Sequence, residues 1–144
     1  LVVINNLLAL AVEQAIRVAS DEEMEAICAA TRPFYQQQLG HLEHGLARIN
    51  LLQTAMQASK NLPLQLISRT LFEQFAPTAS NALADFAAPD KERYAVYARQ
   101  LDDALLSKDV AALRRCFSAL DALNRETMTR AFMLAQLGQE AAAG

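Results

Sequence analysis

Hydrophobic positions recur at three- and four-residue intervals along most of the chain, the spacing that gathers side chains on one face of an α-helix. The first segment, from about Leu1 to Ala19, is apolar on most sides, with Leu7, Leu8, Leu10, Val12, Ile16 and Val18 spread around it, so it is expected to be largely buried. Ser20-Asp21-Glu22-Glu23 has the form of a capping box, in which the Ser20 hydroxyl accepts from a first-turn amide and Glu23 reaches back to the Ser20 amide. A second helix starts there, with Met24, Ile27 and Cys28 on one face, and Pro33 is expected to bend or interrupt it. Gln36-Gln37-Gln38 and Gly40 mark a break. A third helix covers about His41 to Ser59; Leu42, Leu46, Ile49 and Met56 read as its apolar face, with Gln53 in the same seam.

Lys60-Asn61-Leu62-Pro63 reads as a stop, a turn and a restart, Pro63 falling in the first turn of the next helix. That helix carries Leu64, Ile67, Leu71 and Phe75 on a stripe; Pro77 is the place for a kink, and the alanine-rich stretch to Phe86 is a continuation beyond it. Ala88-Pro89-Asp90 opens a further helix striped by Tyr94, Tyr97, Leu101 and Leu105. After a turn or cap at Lys108-Asp109, the last helix runs from about Asp109 to Leu137 with Leu113, Phe117 and Leu120 on one face and Asn124 in line; the Ala-Ala-Ala-Gly end is expected to fray. No repeat of about 20–50 residues is evident. Short connections between about six to seven helices predict an all-α bundle of mainly antiparallel neighbours.

Composition supports helix over sheet: four Gly and four Pro leave little chemistry for hairpins, while Ala and Leu dominate almost every segment. With 144 residues, 53% of them hydrophobic, residues 1–144 are expected to form one domain that folds without a disulfide or metal staple. Disorder is excluded on the same ground. A net charge of -3 argues against a domain that grips nucleic acid by itself, because duplex binding needs a basic face. The longest apolar run, Leu7 to Val12, is far short of the ~20 residues that cross a bilayer, and no basic segment precedes it as in a signal peptide. The chain starts at Leu1 rather than Met, and a functional module is expected upstream of it. Cys28 and Cys116, without CxxC spacing, read as buried reduced thiols and suit a cytoplasmic protein.

Enzyme signatures are missing: no glycine-rich phosphate loop, no GxSxG elbow, no HExxH pair. His41 and His44 flank Glu43, and two histidines at that spacing are part of a metal site only with further ligands; they read as a solvated pair at a helix start. Asp21-Glu22-Glu23 complements a helix N-terminus, and Asp102-Asp103 reads as a solvated face. More informative are polar residues on otherwise apolar stripes: Asn5 and Asn6 in the first helix, Gln53 in the third, Arg69 in the fourth and Asn124 in the last, with the hydroxyls of Tyr94 and Tyr97 added to the same interior. A buried polar group costs free energy unless it is partnered, so these residues either bond one another or await a ligand in an internal pocket.

The turn Ala58-Ser59-Lys60-Asn61-Leu62-Pro63 resembles the one that closes a helix in the C-terminal effector-binding domains of FadR-subfamily GntR transcription regulators. Tyr97-Ala98-Arg99-Gln100-Leu101-Asp102-Asp103-Ala104 and Lys108-Asp109-Val110-Ala111-Ala112-Leu113-Arg114-Arg115 are similar to that domain's last two helices, and Phe86-Ala87-Ala88-Pro89 is similar to its fatty-acid-responsive branch. In helix order and spacing the resemblance covers nearly the whole chain. It implies a homodimer that binds a small-molecule effector in the helical bundle and touches DNA only through an upstream winged-helix domain absent from this chain. Many members of the family hold a metal through an Asp and three His. Here the Asp position is Arg48, the first His position is Leu52, and the last two helices contain no His, so neither a metal nor another cofactor is expected. The acyl-CoA contacts of the fatty-acid branch are not carried over, since Phe117-Ser118-Ala119-Leu120-Asp121-Ala122-Leu123-Asn124 does not match them and the chain has no Trp.

The expectation is therefore a sensor domain for a fatty acid, an acyl-CoA or a small carboxylate, lined by Asn6, Arg48, Gln53, Arg69, Tyr97 and Asn124, with Arg48 or Arg69 pairing the ligand's carboxylate. A helical interaction or dimerisation module with a dry core is the alternative, and it requires Gln53, Arg69 and Asn124 to face solvent or satisfy one another. A helical metal-dependent hydrolase is the third, and the sequence lacks its ligand cluster.

Overall fold

The computed structural model describes residues 2–79 and 90–143, and among them every element is helical. In chain order these are α1 (Val2–Val18), α2 (Asp21–Thr31), α3 (Pro33–Gln36), α4 (His41–Ser59), α5 (Leu62–Ala79), α6 (Lys91–Ser107) and α7 (Val110–Ala143). The all-α bundle read from the sequence is the observed fold. Expectations for Phe86 and Ala88-Pro89 lie outside the described residues.

Local chemistry sets most of the boundaries. The Ser20 capping box forms as written: Glu23 N donates to Ser20 Oγ at 3.2 Å and Ser20 N to Glu23 Oε1 at 3.1 Å. Pro33, which lacks the N–H a continuing helix needs, ends α2 and opens the single turn α3. Asn61 Oδ1 caps α5 by accepting from Leu64 N, and Asp90 Oδ1 caps α6 by accepting from Glu92 N and Arg93 N. Lys60 and Lys108 end α4 and α6 in the left-handed conformation, with φ of 55° and 54°. One expected end moves, since α7 continues past Leu137 through Ala143; α5 runs through Pro77 to Ala79, and the continuation expected to Phe86 lies outside the described residues.

α1 lies along α4, α2 against α4 and α6, and α7 against α6 and α1. The α6–α7 pair is antiparallel: Cys116 Sγ donates to Tyr97 O near the start of α7, while Glu126, further along, pairs with Arg93 at the start of α6. α2 and α4 also run oppositely, since Glu23 reaches Lys60 and the turn after α2 brings Phe34 to His44. The core is filled by Ile27, Leu51, Leu52, Leu101, Leu105, Leu113 and Leu123, all fully buried, each stabilising the fold by ~1.5–3 kcal/mol.

Three stripes and one acidic residue differ from the sequence reading. On α1 only one face is buried (Leu8, Ala11, Val12, Ala15), while Leu10 and Val18 are exposed. On α4 the expected face is the wrong one, since Leu42 is 76% and Leu46 57% exposed. Its inward face is His44, Leu51, Leu52, Ala55, Met56 and Ser59, because α1, α2 and α3 pack on that side. On α5 Ile67 is exposed and Ser68 buried beside Leu64. On α6 Asp102 is buried, not solvated, because Tyr35 of α3 closes over it.

Candidate functional site

The short α3 organises the most chemically charged region of the bundle. Pro33 turns the chain so that Phe34 points inward, where it meets two aromatic rings: His44 near the start of α4, with centroids 5.1 Å apart, and Tyr94 on α6, at 4.9 Å. His44 and Tyr94 also pack edge to face at 4.8 Å. His44 is 3% exposed, and neither ring nitrogen has a hydrogen-bond partner among the described residues. It is therefore not half of a solvated pair. His41, a turn earlier, is exposed and shares no site with it.

Arg48, half-buried, follows His44 by one turn of α4, its guanidinium lying over the bare Cα of Gly45. Its Nε is buried and unpartnered among the described residues. Burial lowers the Arg48 pKa, only partly countered by the Tyr94 hydroxyl, and it pushes that hydroxyl up to about 12. His44 is held down to about 4, first by burial and then by the charges of Arg48, Lys91 and His41. This corner thus concentrates positive charge, and among the described residues no carboxylate answers it from inside the core.

Beside the three rings opens a cleft of about 250 Å³, walled by Phe34, Tyr35 and the extended stretch Gln37-Gln38-Leu39 on one side and by Lys91, Glu92 and Ala95 of α6 on the other, with His44 at its floor. Lys91 Nζ donates to Leu39 O at 2.8 Å, fastening the extended stretch across α6. Two turns further along α6, the Tyr35 hydroxyl donates to Asp102 Oδ2 at 2.5 Å, and the Arg99 guanidinium stands 5.7 Å over the Tyr35 ring. Burial and that bond raise the Tyr35 pKa to about 12. Cys28, raised to about 12 first by burial and then by the nearby Asp102 carboxylate, lies close by. Cys28 and Cys116 are both free and buried.

A larger groove, about 530 Å³, opens between the end of α1 and the α4–α5 turn. Its Lys60 is already engaged, with Nζ 3.3 Å from Val18 O and 3.2 Å from Glu23, and its Asn61 amide donates to Gln14 Oε1 at 3.0 Å. Among the described residues, no buried unpaired polar atom lines that groove.

Of the six residues proposed from the sequence to line a pocket, only Arg48 stands at the buried cluster. Asn6, Gln53 and Arg69 are exposed on three different helices, because the phases of α4 and α5 differ from those expected. Tyr97 and Asn124 are half-buried on α6 and α7, Tyr97 offering its main-chain oxygen to Cys116. The sequence reading missed His44, Phe34, Lys91 and Asp102. The signal for His44 was its four-residue spacing to Arg48 on a helix whose later positions Leu51, Leu52 and Ala55 share that face. Among the described residues no three His, Cys, Asp or Glu side chains converge as a metal site, and no helix is long and apolar enough to cross a membrane. No family model, no curated protein and no solved structure matches the chain.

Proposed function

We propose that this chain is a ligand-sensing regulatory domain, binding a small organic acid within its helical bundle and passing the bound state to an upstream DNA-binding domain, as its resemblance to FadR-type GntR regulators implies. The observation that carries this reading is the buried Nε of the half-buried Arg48, unpartnered among the described residues and one turn from His44, whose ring nitrogens are likewise buried and unpartnered. A buried cation of this kind is costly until an anion pairs with it, so a carboxylate that enters gains a charge-assisted bond and relieves the cost. The reading makes the protein a cytoplasmic homodimer without catalytic activity. It requires the ligand to bind two arrangements of the dimer unequally, since only differential affinity shifts such an equilibrium.

The test is a thermal-shift and calorimetric screen of fatty acids, acyl-CoAs and small carboxylates against the wild type and Arg48→Gln. A ligand present at a hundred times its Kd should stabilise the wild type by ~2.7 kcal/mol. Arg48→Gln should bind it ~10- to 100-fold more weakly, the loss expected for one hydrogen bond to a charged group. Equal binding by both proteins removes Arg48 from the site, and no binding by either sinks the sensor reading.

A second reading, a helical interaction module, is favoured by a different observation. Gln53 and Arg69 face solvent, and Leu42, Leu46 and Ile49 form an exposed apolar stripe on α4. A chain that ignores the carboxylate panel and yet self-associates through that stripe would belong to this class.

A further inference from the structure

The cleft between α3 and the start of α6 gathers three kinds of surface within about 250 Å³. Its floor is the His44 ring, 3% exposed and with neither nitrogen partnered among the described residues. Phe34 and Tyr94 pack on that ring at 5.1 and 4.8 Å and satisfy neither nitrogen. One wall is apolar, made by Phe34, Tyr35 and Leu39. The Tyr35 hydroxyl is spent on Asp102 Oδ2, so Tyr35 offers the cleft a ring and not a donor. On the α6 wall stands the half-buried Lys91, whose ammonium has three donors, of which Leu39 O takes one.

Each surface asks something different of a ligand. Burial, ahead of the charges of Arg48, Lys91 and His41, keeps the His44 ring neutral at pH 7, with one nitrogen a donor and the other an acceptor. A hydroxyl, which also donates and accepts, matches that ring. A carboxylate carried to the same floor would give up its water for a single neutral N–H, a poor exchange for a charge. The charged end of a ligand therefore belongs at Lys91, where both partners keep part of their hydration. Between the two ends, the rings of Phe34 and Tyr35 favour a flat aromatic body. The volume lies below the ~300–1,000 Å³ of sites for drug-sized ligands and suits a single ring.

We propose that this cleft binds a small hydroxyaryl carboxylate: the hydroxyl bonds His44 at the floor, the ring lies against Phe34 and Tyr35, and the carboxylate pairs with the Lys91 ammonium. Selection acts at both ends. An acid without the hydroxyl leaves the buried His44 nitrogens unpaired, and an alcohol without the carboxylate forgoes the charge-assisted bond to Lys91. Arg48 does not line the cleft and takes no part. The site is therefore separate from the Arg48 corner on which the sensor reading stands, and either holds without the other.

The test is calorimetry on the full chain at pH 7 with 3- and 4-hydroxybenzoate, benzoate and the corresponding hydroxybenzyl alcohols. At least one hydroxybenzoate should bind the wild type, and benzoate and the matching alcohol should each bind it ~3- to 10-fold more weakly, the loss expected for one hydrogen bond. This comparison needs no variant and so does not depend on one folding. His44→Phe should then bind hydroxybenzoate and benzoate alike, whereas Lys91→Gln should bind hydroxybenzoate and its alcohol alike. Lys91→Arg, which keeps the charge, should recover the preference for the acid. Failure of both hydroxybenzoates to bind overturns the site, as does a wild type indifferent to the hydroxyl or a hydroxyl preference that survives in His44→Phe. Benzoate binding that is lost in Arg48→Gln but untouched in Lys91→Gln also overturns it, while leaving the sensor reading standing at its own corner.

Discussion

His44 is a residue whose surroundings invert its sequence neighbourhood: it follows Glu43 and neighbours the exposed His41, yet it is packed between Phe34 and Tyr94. The shared face of α4 signals its burial but not its ring contacts, because both contacting rings come from other helices and one depends on the turn that Pro33 imposes. The same holds for Asp102, whose Tyr35 partner lies 67 residues away. Cys28 and Cys116, by contrast, are legible as buried reduced thiols from their place in helical patterns without CxxC spacing. A pH dependence of stability follows from His44. Its pKa lies near 4 in the folded protein and at the ordinary 6.5 when unfolded, so between those values the unfolded chain binds the proton and the folded chain does not. Stability is therefore present in full above 6.5 and falls as pH drops through that window, with a slope of up to ~1.4 kcal/mol per pH unit. His44→Phe keeps the ring packing, removes the buried unpartnered nitrogens, and should flatten the fall. Urea unfolding of both proteins at ~pH 7 and ~pH 5.5 checks it, and parallel losses in the two would show that other groups cause the wild-type decline.

At the scale of the element, caps and breaks read more faithfully than helix phase. Ser20 with Glu23, Pro33 and the Lys60-Asn61 turn act through neighbours within a few residues, so their chemistry is complete in the sequence. Phase is decided by what packs on a helix. α4 carries two competing apolar stripes, Leu42-Leu46-Ile49 and Leu51-Leu52-Ala55-Met56, and the bundle buries the second. With it go Arg48 and His44, which is why Gln53 leaves the pocket and an unforeseen histidine enters it. α6 and α7 carry one dominant stripe each, and there Tyr94, Leu101, Leu105, Leu113, Phe117 and Leu120 all fall inside as expected. The two α4 faces should answer mutation oppositely. Leu52→Ala should cost ~2–5 kcal/mol for the cavity it leaves, whereas Leu46→Glu should change stability by no more than ~0.5 kcal/mol. Chemical denaturation of the two variants decides between the phases, and a large loss in Leu46→Glu would place that leucine in contact with something the bundle buries.

At the scale of the molecule, α7 is twice the length of its antiparallel neighbour, 34 residues against 17. The Arg93–Glu126 pair fixes where the two part company, at the start of α6, and that same end carries the cleft floored by His44. Beyond the buried Thr127, every described side chain from Thr129 onward is exposed, among them Phe132, Met133, Leu134 and Leu137. An exposed apolar surface of this kind marks an interaction site. In the regulator reading, ligand occupancy and self-association are then coupled, and linkage makes the coupling reciprocal: whatever factor the ligand applies to the dimer constant, dimerisation applies to ligand affinity. Truncation after Arg130 separates the parts. Stability should change by less than ~1 kcal/mol, because the described side chains removed are all exposed. Carboxylate binding should persist, since Arg48 and His44 lie within the bundle, while the concentration dependence of ligand affinity should vanish together with the dimer in sedimentation equilibrium. A truncated chain that still dimerises moves the interface elsewhere, with the uncovered Leu42-Leu46-Ile49 face of α4 the next surface to probe.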